Sequence, residues 1–457
     1  MSNKNGSVII TGAGLTGLTT AFYLKKAGIN FTIIEKKGRP GGSIKTYKEK
    51  GFIFESGPNT GVVSHAEVQD LFDNLKGEVE FEPANKKAKR RLIWKGARWH
   101  DLPGCIKDGV KTPLFAWKDK FKLLLEPFRK KGSNPNETLE ALVKRRMGAS
   151  FLNYAVDPFV IGIYAGDPSK LITRHALPKL YQLEQNYGSF IKGGIKKAFK
   201  KKDENERKAT RTMFSVKGGL NNLINALVKF IGEENIIYNC ENLTIYPENR
   251  DYSASFSSNG EEKKLFAKYV ISTTGAHEIP NTFPFLNQKE KNDITNLTYA
   301  KVLQVAVGYK NWRGLPLKAF GGLIPHKEKR NILGIQFLSS FLSGRAPEDG
   351  ALLSVFLGGV RNPEITEKDD NTIKEIVMQE LKCMLLIPEG DEPDLFKVFK
   401  HTHAIPQYSI TTEQRLKRVK KIEKQFPGLF LAGNLRDGIG MADRIRQGTI
   451  IAKKITG

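Results

Sequence analysis

Gly12, Gly14 and Gly17 stand in the spacing G-x-G-x-x-G between a short apolar run at residues 7–11 and the helical pattern Leu15, Leu18, Phe22, Leu24. Glycines in this setting bind phosphate. The first permits a tight turn, the second lets the backbone approach a pyrophosphate, and the third lets helix and strand pack closely. The helix N-terminus adds unpaired N–H groups and a partial positive charge. Gly28 stops the helical pattern, and residues 30–34 read as a second strand ending at Glu35, where a ribose hydroxyl needs an acceptor. Strand, turn, helix, strand and acid in that order predict a dinucleotide site.

The following residues choose the dinucleotide. Arg39, Gly41 and Gly42 in KKGRPGGS extend the phosphate-binding region beyond what a minimal NAD site requires. Gly57-Pro58 forms a fixed turn able to lay backbone N–H groups against a flat ring system. Near the C-terminus, residues 429–432 read as a strand, followed by a glycine-rich turn and a helix that return the chain to the nucleotide-binding region. A cofactor held from both ends of so long a chain is FAD more readily than NAD. Taken singly, Gly41, Gly42 and Gly57 are more often ordinary turn glycines.

These motifs need a large scaffold, and 457 residues provide two or three domains. Cys105, Cys240 and Cys383 are far apart, which favours a reducing compartment and argues against a disulfide framework or a zinc site. The opening MSNKNG leads directly into the first strand, leaving no room for a signal peptide, and no apolar stretch is long enough to span a membrane. A cytoplasmic protein, free or peripheral on the cytoplasmic face of a membrane, is expected. The net charge of +25 accompanies no nucleic-acid-binding motif. An anionic membrane surface, an acidic substrate or a generally basic proteome would each account for it.

Along the chain, residues 88–102 alternate basic and apolar positions around Gly96 and predict a hairpin. Residues 103–204 read as mainly helical; Asn134-Pro135-x-Glu137 resembles a helix start, and the basic stretch 199–208 a solvated, mobile loop. Leu220, Leu223, Ile224, Leu227, Val228 and Ile231 mark one face of a helix. Residues 235–246 and YVISTTG read as strands returning to the nucleotide domain. The fold class is α/β: a Rossmann-type FAD-binding domain in several segments (1–87, 205–298, 408–457), a mixed-sheet substrate-binding domain (88–102, 299–407) and a helical insertion (103–204). That insertion contains Leu114, Phe115, Trp117, Phe121, Leu124, Leu125 and Phe128 interleaved with lysines and arginines. Such a composition suits a membrane interface or, equally, a docked helix with its lysines in water.

Over nearly its full length the chain resembles the FAD-dependent protoporphyrinogen oxidase family, within the flavin amine oxidase superfamily. RPGGS and ESGPNT are superfamily features. DPFVIGIYAGDPSKL, QNYGS, LGIQFLSSFLSGRAP, VFLGG and LAGNLRDGIGMADRIRQG carry the narrower likeness. The resemblance implies FAD contacts at Gly12, Ala13, Gly14, Leu15, Thr16, Gly17, Glu35, Arg39, Gly42, Ser43, Gly57, Pro58, Asn59, Thr60, Leu243, Asn434, Ile439, Gly440 and Met441. It further implies a propionate partner in Arg91, a ring-stacking Phe356, and Leu323, Gln336 and the backbone of Gly166 around a macrocycle. Gln336 departs from the leucine of some relatives, making the cavity more polar.

The implied reaction removes six electrons from protoporphyrinogen IX, with flavin N5 accepting hydride and oxygen reoxidising the cofactor to give hydrogen peroxide. Ring nitrogens can exchange protons among themselves, so no catalytic side chain is assigned. Coproporphyrinogen III oxidation is the alternative, favoured by a more basic cavity, and a non-catalytic carrier or escort on the same fold is the alternative of another class. Read without the resemblance, Phe356 is a core strand residue and Arg91 a solvated cation. His401 and His403, two apart on a strand, lack a third ligand, and no metal is expected. A homodimer is a further expectation, one that no residue pattern specifies.

Overall fold

The computed structural model describes residues 8–199, 201 and 203–457. Residues 1–7, which include the opening MSNKNG and the first residue of the expected strand, lie outside the described residues, as do Lys200 and Lys202 of the basic stretch. Among the described residues, five parallel strands form one sheet in the order Ile236–Ile237, Phe31–Ile34, Val8–Thr11, Tyr269–Ser272, Leu429–Leu431. Their apolar character follows from burial on both faces. Helices Leu15–Lys26, Asn221–Ile231 and Met441–Thr456 cover one face, where Val8, Ile10 and Ile33 meet Leu18, Leu227 and Ile445. The helix spacing read from residues 220–231 is matched by the burial of Leu220, Leu223, Ile224, Leu227, Val228 and Ile231. The opposite face packs Ile9, Ile34 and Val270 against Ile245, Phe256 and Ile422.

The run 235–246 is not one strand. Ile236–Ile237 edges the parallel sheet, the backbone turns through Asn239 at φ 53°, and Cys240–Glu248 begins a separate antiparallel sheet. Asparagine tolerates that left-handed conformation, which interrupts an extended run.

A mixed sheet runs Leu395–Pro406, Tyr299–Tyr309, Ala351–Gly358, Ile332–Phe337, Gly321–Leu323, Arg91–Lys95, Arg98–Asp101, the last two forming the hairpin read around Gly96. One face carries Leu303, Val305, Val355 and Leu357 against helix Asp370–Leu385. The alternate residues of the same strands face the other way, and that second face builds the site.

The insertion is helical, with a core of Leu114, Phe115, Leu139, Leu142, Phe151 and Tyr164, among others. The Asn134-Pro135 signal does not start a helix. Asn134 accepts a hydrogen bond from the Asn136 amide (2.9 Å), and helix Leu139–Arg146 begins at an N-cap of Thr138, whose hydroxyl accepts from the Ala141 amide. Pairing of Thr138 with Ile172 and of the Leu139 amide with the Leu171 carbonyl keeps this backbone extended until then. The acidic half of the basic stretch forms a short helix, Glu204–Lys208, with Asp203 in a capping box.

Helix Trp117–Leu124 and the turn after it invert the usual amphipathic order. Asp119 and Glu126 point inward and are buried, while Trp117, Phe121, Leu124, Leu125 and Phe128 are exposed, Phe128 by 82%. Asp119 accepts the Ser150 amide (2.7 Å), and Glu126 pairs with the fully buried Arg146 (2.8 Å). Leu114 and Phe115, read with the same apolar set, are instead core residues, because the chain enters the helical bundle before it reaches the surface helix.

Candidate functional site

Three strand ends meet at the carboxyl edge of the parallel sheet, the usual place for a ligand in such folds. Gly12 turns at φ 96°, its amide donating to the Ile34 carbonyl (2.8 Å). A Cβ on Gly17 would lie 2.1 Å from the Gly12 carbonyl oxygen, so only glycine allows this helix to seat on its strand. Gly14 is different: a Cβ there would meet nothing within 4 Å. Gly14 is the N-cap of helix Leu15–Lys26; no side chain caps that end and no acid occupies the first turn. Free amides facing open space fit a pyrophosphate, so the residues present suit a dinucleotide.

The RPGGS and ESGPNT segments close around this turn. The Gly41 amide donates to the Ala13 carbonyl (2.8 Å), and a Cβ on Gly42 would lie 3.2 Å from Gly14 Cα. Gly57 stands against Ser43, whose carbonyl a Cβ would meet at 2.1 Å. Arg39 donates to the carbonyls of Pro40, Gly42 and Ile44, bracing the loop from within. Glu35 accepts from the amides of Ala13 (2.6 Å) and Lys37 (2.9 Å), while its own carbonyl receives the Cys240 amide (3.0 Å). That contact brings in the strand carrying Leu243, which sits at a bulge between Glu241 and Thr244. Ala13, Leu15 and Thr16 are buried, and Pro58 and Thr60 are half-buried.

The C-terminal turn completes this end. Asn434 Oδ1 accepts from the Tyr299 hydroxyl (3.2 Å), and the amides of Ile439 (3.1 Å) and Gly440 (3.0 Å) donate to Asp443 Oδ2. His65 Nε2 lies 2.9 Å from the other Asp443 oxygen. Burial pushes the Asp443 carboxyl up, but the His65 and Gly440 contacts outweigh it and leave it below its ordinary range. Arg444 donates to the carbonyls of Gly433, Arg436 and Gly438, and burial lowers its pKa. Met441 is buried at the start of the final helix, which crosses the glycine-turn helix at Gly448.

The second face of the mixed sheet holds the residues read as substrate contacts. Phe356 pairs in register with Gly334, Gly334 with Leu323, and Leu323 with Ile93; one row over, Gln336 pairs with Gly321 and Gly321 with Arg91. Phe356, Leu323 and Gln336 are half-buried. Gly334 leaves room for Leu323, and so does Gly162 of helix Asp157–Tyr164, where a Cβ would lie 3.0 Å from a Leu323 methyl. Gly166 lies on the loop after that helix, against Gln407. Arg91 stands apart at the start of the next-to-last strand, exposed, its guanidinium 3.9 Å from Met213 Sδ.

The two ends are joined by a contact between residues read separately: Asn59 Nδ2 donates to Gln336 Oε1 (2.8 Å). Behind it, Gln304 Nε2 donates to Asn59 Oδ1 (3.3 Å), the Glu55 carbonyl (3.0 Å) and Ser354 Oγ (3.2 Å). Gln304 escaped the sequence reading, although a glutamine within the apolar run KVLQVAVGY was the available signal. The Asp157–Arg361–Asp167 cluster escaped it too. Arg361 bonds Asp157 (2.6 Å) and Asp167 (3.0 Å), tying the insertion to the end of the Phe356 strand. Burial raises Asp167, but hydrogen bonds from Arg361 and Ser169 prevail and hold it at about 2. His401 and His403 do not act together: the strand bulges between them and its partner, and His403 stacks on His277 at 4.0 Å. Among the described residues, no three His, Cys, Asp or Glu side chains cluster to hold a metal ion.

Comparison with known proteins accords with this architecture. The model of the flavin-containing amine oxidoreductase family matches residues 15–456. A protoporphyrinogen oxidase 2, chloroplastic/mitochondrial, of Arabidopsis thaliana is 30% identical over 96% of this chain and 92% of its own length. The coproporphyrinogen III oxidase of Bacillus subtilis strain 168 is 25% identical over 98% of this chain and 97% of its own. A crystal structure from Exiguobacterium sp. 255-15 superposes with a TM-score of 0.82 at 22% identity, covering 100% of this chain and 99% of its own. The chain belongs to the flavin-containing amine oxidoreductase family. It is an FAD-dependent oxidoreductase.

Proposed function

We propose that the chain oxidises protoporphyrinogen IX to protoporphyrin IX, a six-electron reaction of haem biosynthesis. One observation carries this reading beyond the names of the relatives. A half-buried face made of Phe356, Leu323 and Gln336 is hydrogen-bonded through Asn59 to the Gly57–Thr60 turn, so a flat apolar ligand on that face lies beside the cofactor residues. Bound FAD supplies hydride-accepting chemistry, with oxygen as final acceptor and hydrogen peroxide as by-product. Gly12–Gly17, Gly42, Ser43 and Asn434 hold the cofactor, with Glu35 turning from the Ala13 amide to the ribose.

Phe356 and Leu323 bracket the macrocycle, the backbone of Gly166 borders it, and Arg91 pairs with a propionate. The protein's contribution is position: a bridging carbon is held still and water is kept from the ring. No side chain need act as base, since a ring nitrogen can take or release the proton.

Coproporphyrinogen III is the second reading, favoured by the Bacillus subtilis relative and by the exposed cations Lys86, Lys87, Lys89, Arg90 and Arg91, of which Arg90 is paired with Asp101. The inverted helix Trp117–Leu124 is proposed to lie on the cytoplasmic face of an anionic membrane, rings inserted and lysines on the headgroups. The segments 1–87, 205–298 and 408–457 are proposed as the FAD domain, 88–102 and 299–407 as the substrate domain, and 103–204 as the membrane-facing insertion. Purified protein given each porphyrinogen in turn tests the reaction by porphyrin fluorescence. A yellow, folded enzyme that converts neither would refute it, and colourless protein would point to a carrier.

A further inference from the structure

Gln336 is a half-buried polar side chain beside the apolar Phe356 and Leu323, and the structure fixes which way its amide points. The Glu55 carbonyl can only accept, so Gln304 presents its NH2 group there and, on the same nitrogen, to Asn59 Oδ1. Asn59 must then turn its own NH2 toward Gln336, whose Oε1 accepts at 2.8 Å. With Asn59 5% exposed and Gln304 3%, neither amide has solvent to flip into. The half-buried Gln336 is left with an NH2 that has no hydrogen-bond acceptor among the described residues. The relay thus delivers one neutral donor to the middle of the face.

We propose that this donor retains partly oxidised tetrapyrrole until the macrocycle is aromatic; the inference rests on the reaction proposed above. All four ring nitrogens of a porphyrinogen are N–H donors, so the starting material offers the amide no ring acceptor. In each of the first two rounds a hydride leaves a bridging carbon for the bound flavin and a proton leaves a pyrrole nitrogen, which becomes an imine with a free lone pair. The third round removes a hydride and a proton from the last two bridging carbons, completing the six-electron balance. The intermediates stay puckered at their remaining tetrahedral carbons, which tilts the imine nitrogen out of plane toward a donor above it. The finished porphyrin is flat, its lone pairs converge on the ring centre, and the contact is lost.

A propionate is the other acceptor a substrate carries, but that role belongs to Arg91. Arg91 lies two strands from Gln336 along the row Arg91, Gly321, Gln336, a separation of about 10 Å. That places Gln336 over the ring when the carboxylate is at Arg91.

Holoenzyme carrying Gln336→Glu or Gln336→Leu separates the donor from the link to Asn59. Glutamate still accepts from Asn59 but has no N–H to give, whereas leucine loses both. The measurements are two-electron equivalents consumed per porphyrin released, and partly oxidised tetrapyrrole found free in solution by its absorbance. The wild type is expected to consume three equivalents per porphyrin. Both variants should release intermediates about fivefold more often, the loss of one neutral hydrogen bond. Wild-type stoichiometry in Gln336→Glu would overturn the proposal, and so would leakage confined to Gln336→Leu, which assigns the effect to Asn59. A yellow wild type that oxidises neither porphyrinogen would instead remove the underlying reaction.

Discussion

Gly14 and Gly17 share one motif yet should fail in different ways. A methyl at Gly17 would sit 2.1 Å from the Gly12 carbonyl oxygen, itself backbone in a tight turn, and 3.2 Å from Ile10 Cγ2. Ordinary contact begins near ~3.5 Å, so the helix must withdraw by roughly 1.4 Å along a face packed against strands Val8–Thr11 and Phe31–Ile34. Overpacking of this kind costs about 1–3 kcal/mol, and a carbonyl that cannot rotate away places Gly17→Ala at the upper end. Gly14 has open space around it and φ −76°, ψ 177°, a conformation any residue adopts. Gly14→Ala and Gly14→Asp should therefore leave the flavin-free protein within about 0.5 kcal/mol of wild type. They should still lose FAD, since the methyl fills the approach to the pyrophosphate and the carboxylate also repels it. Denaturant unfolding of flavin-stripped protein reads the first effect, and flavin retained after gel filtration reads the second. Gly14→Asp purified with stoichiometric FAD, or Gly17→Ala as stable as wild type, would refute the reasoning.

Arg91→Ala should raise KM for the porphyrinogen about ten- to a hundredfold with flavin content unchanged, the loss of a charge-assisted pair worth roughly 1.5–3 kcal/mol; unaltered kinetics would return Arg91 to the solvated surface. The Asp167 carboxyl is held at about 2, below the ~3.9 of an unfolded aspartate, so its pairing with Arg361 stabilises the fold fully above pH ~4 and loses that effect as pH falls through about 2. Arg361→Ala should thus lower the unfolding midpoint at neutral pH, with the difference shrinking below pH ~4; a gap that stays constant into acid would contradict this. Binding to anionic vesicles should weaken with salt without vanishing, and should weaken again when Trp117 and Phe121 become serine. Each basic residue near the surface contributes about 1 kcal/mol that salt screens, while ring burial is salt-resistant. Sedimentation equal to a neutral-lipid control at low salt would leave the segment a surface helix of other use.

The nucleotide end was legible from the chain alone because its information is local. A glycine spacing, a β-branched strand and an acid at a set distance lie within 30 residues, and each does its work through backbone geometry that neighbours cannot easily override. The hairpin at Gly96 and the buried face of helix Asn221–Ile231 were readable for the same reason. Where the chain's conformation is set from a distance, the local signal misled. Asn134-Pro135 has the composition of a helix start, but a bridge from Thr138 to Ile172 keeps the backbone extended past it. Leu114 and Phe115 read like Trp117 and Phe121, and only the inward anchors Asp119 and Glu126 separate core from surface. The site's central contact is of the second kind. Asn59 and Gln336 stand 277 residues apart, and no pattern in either segment announces the other. A hydrogen bond of 2.8 Å depends on the register of strands and the seating of one sheet beside another, which the sequence encodes only through the packing of the whole chain.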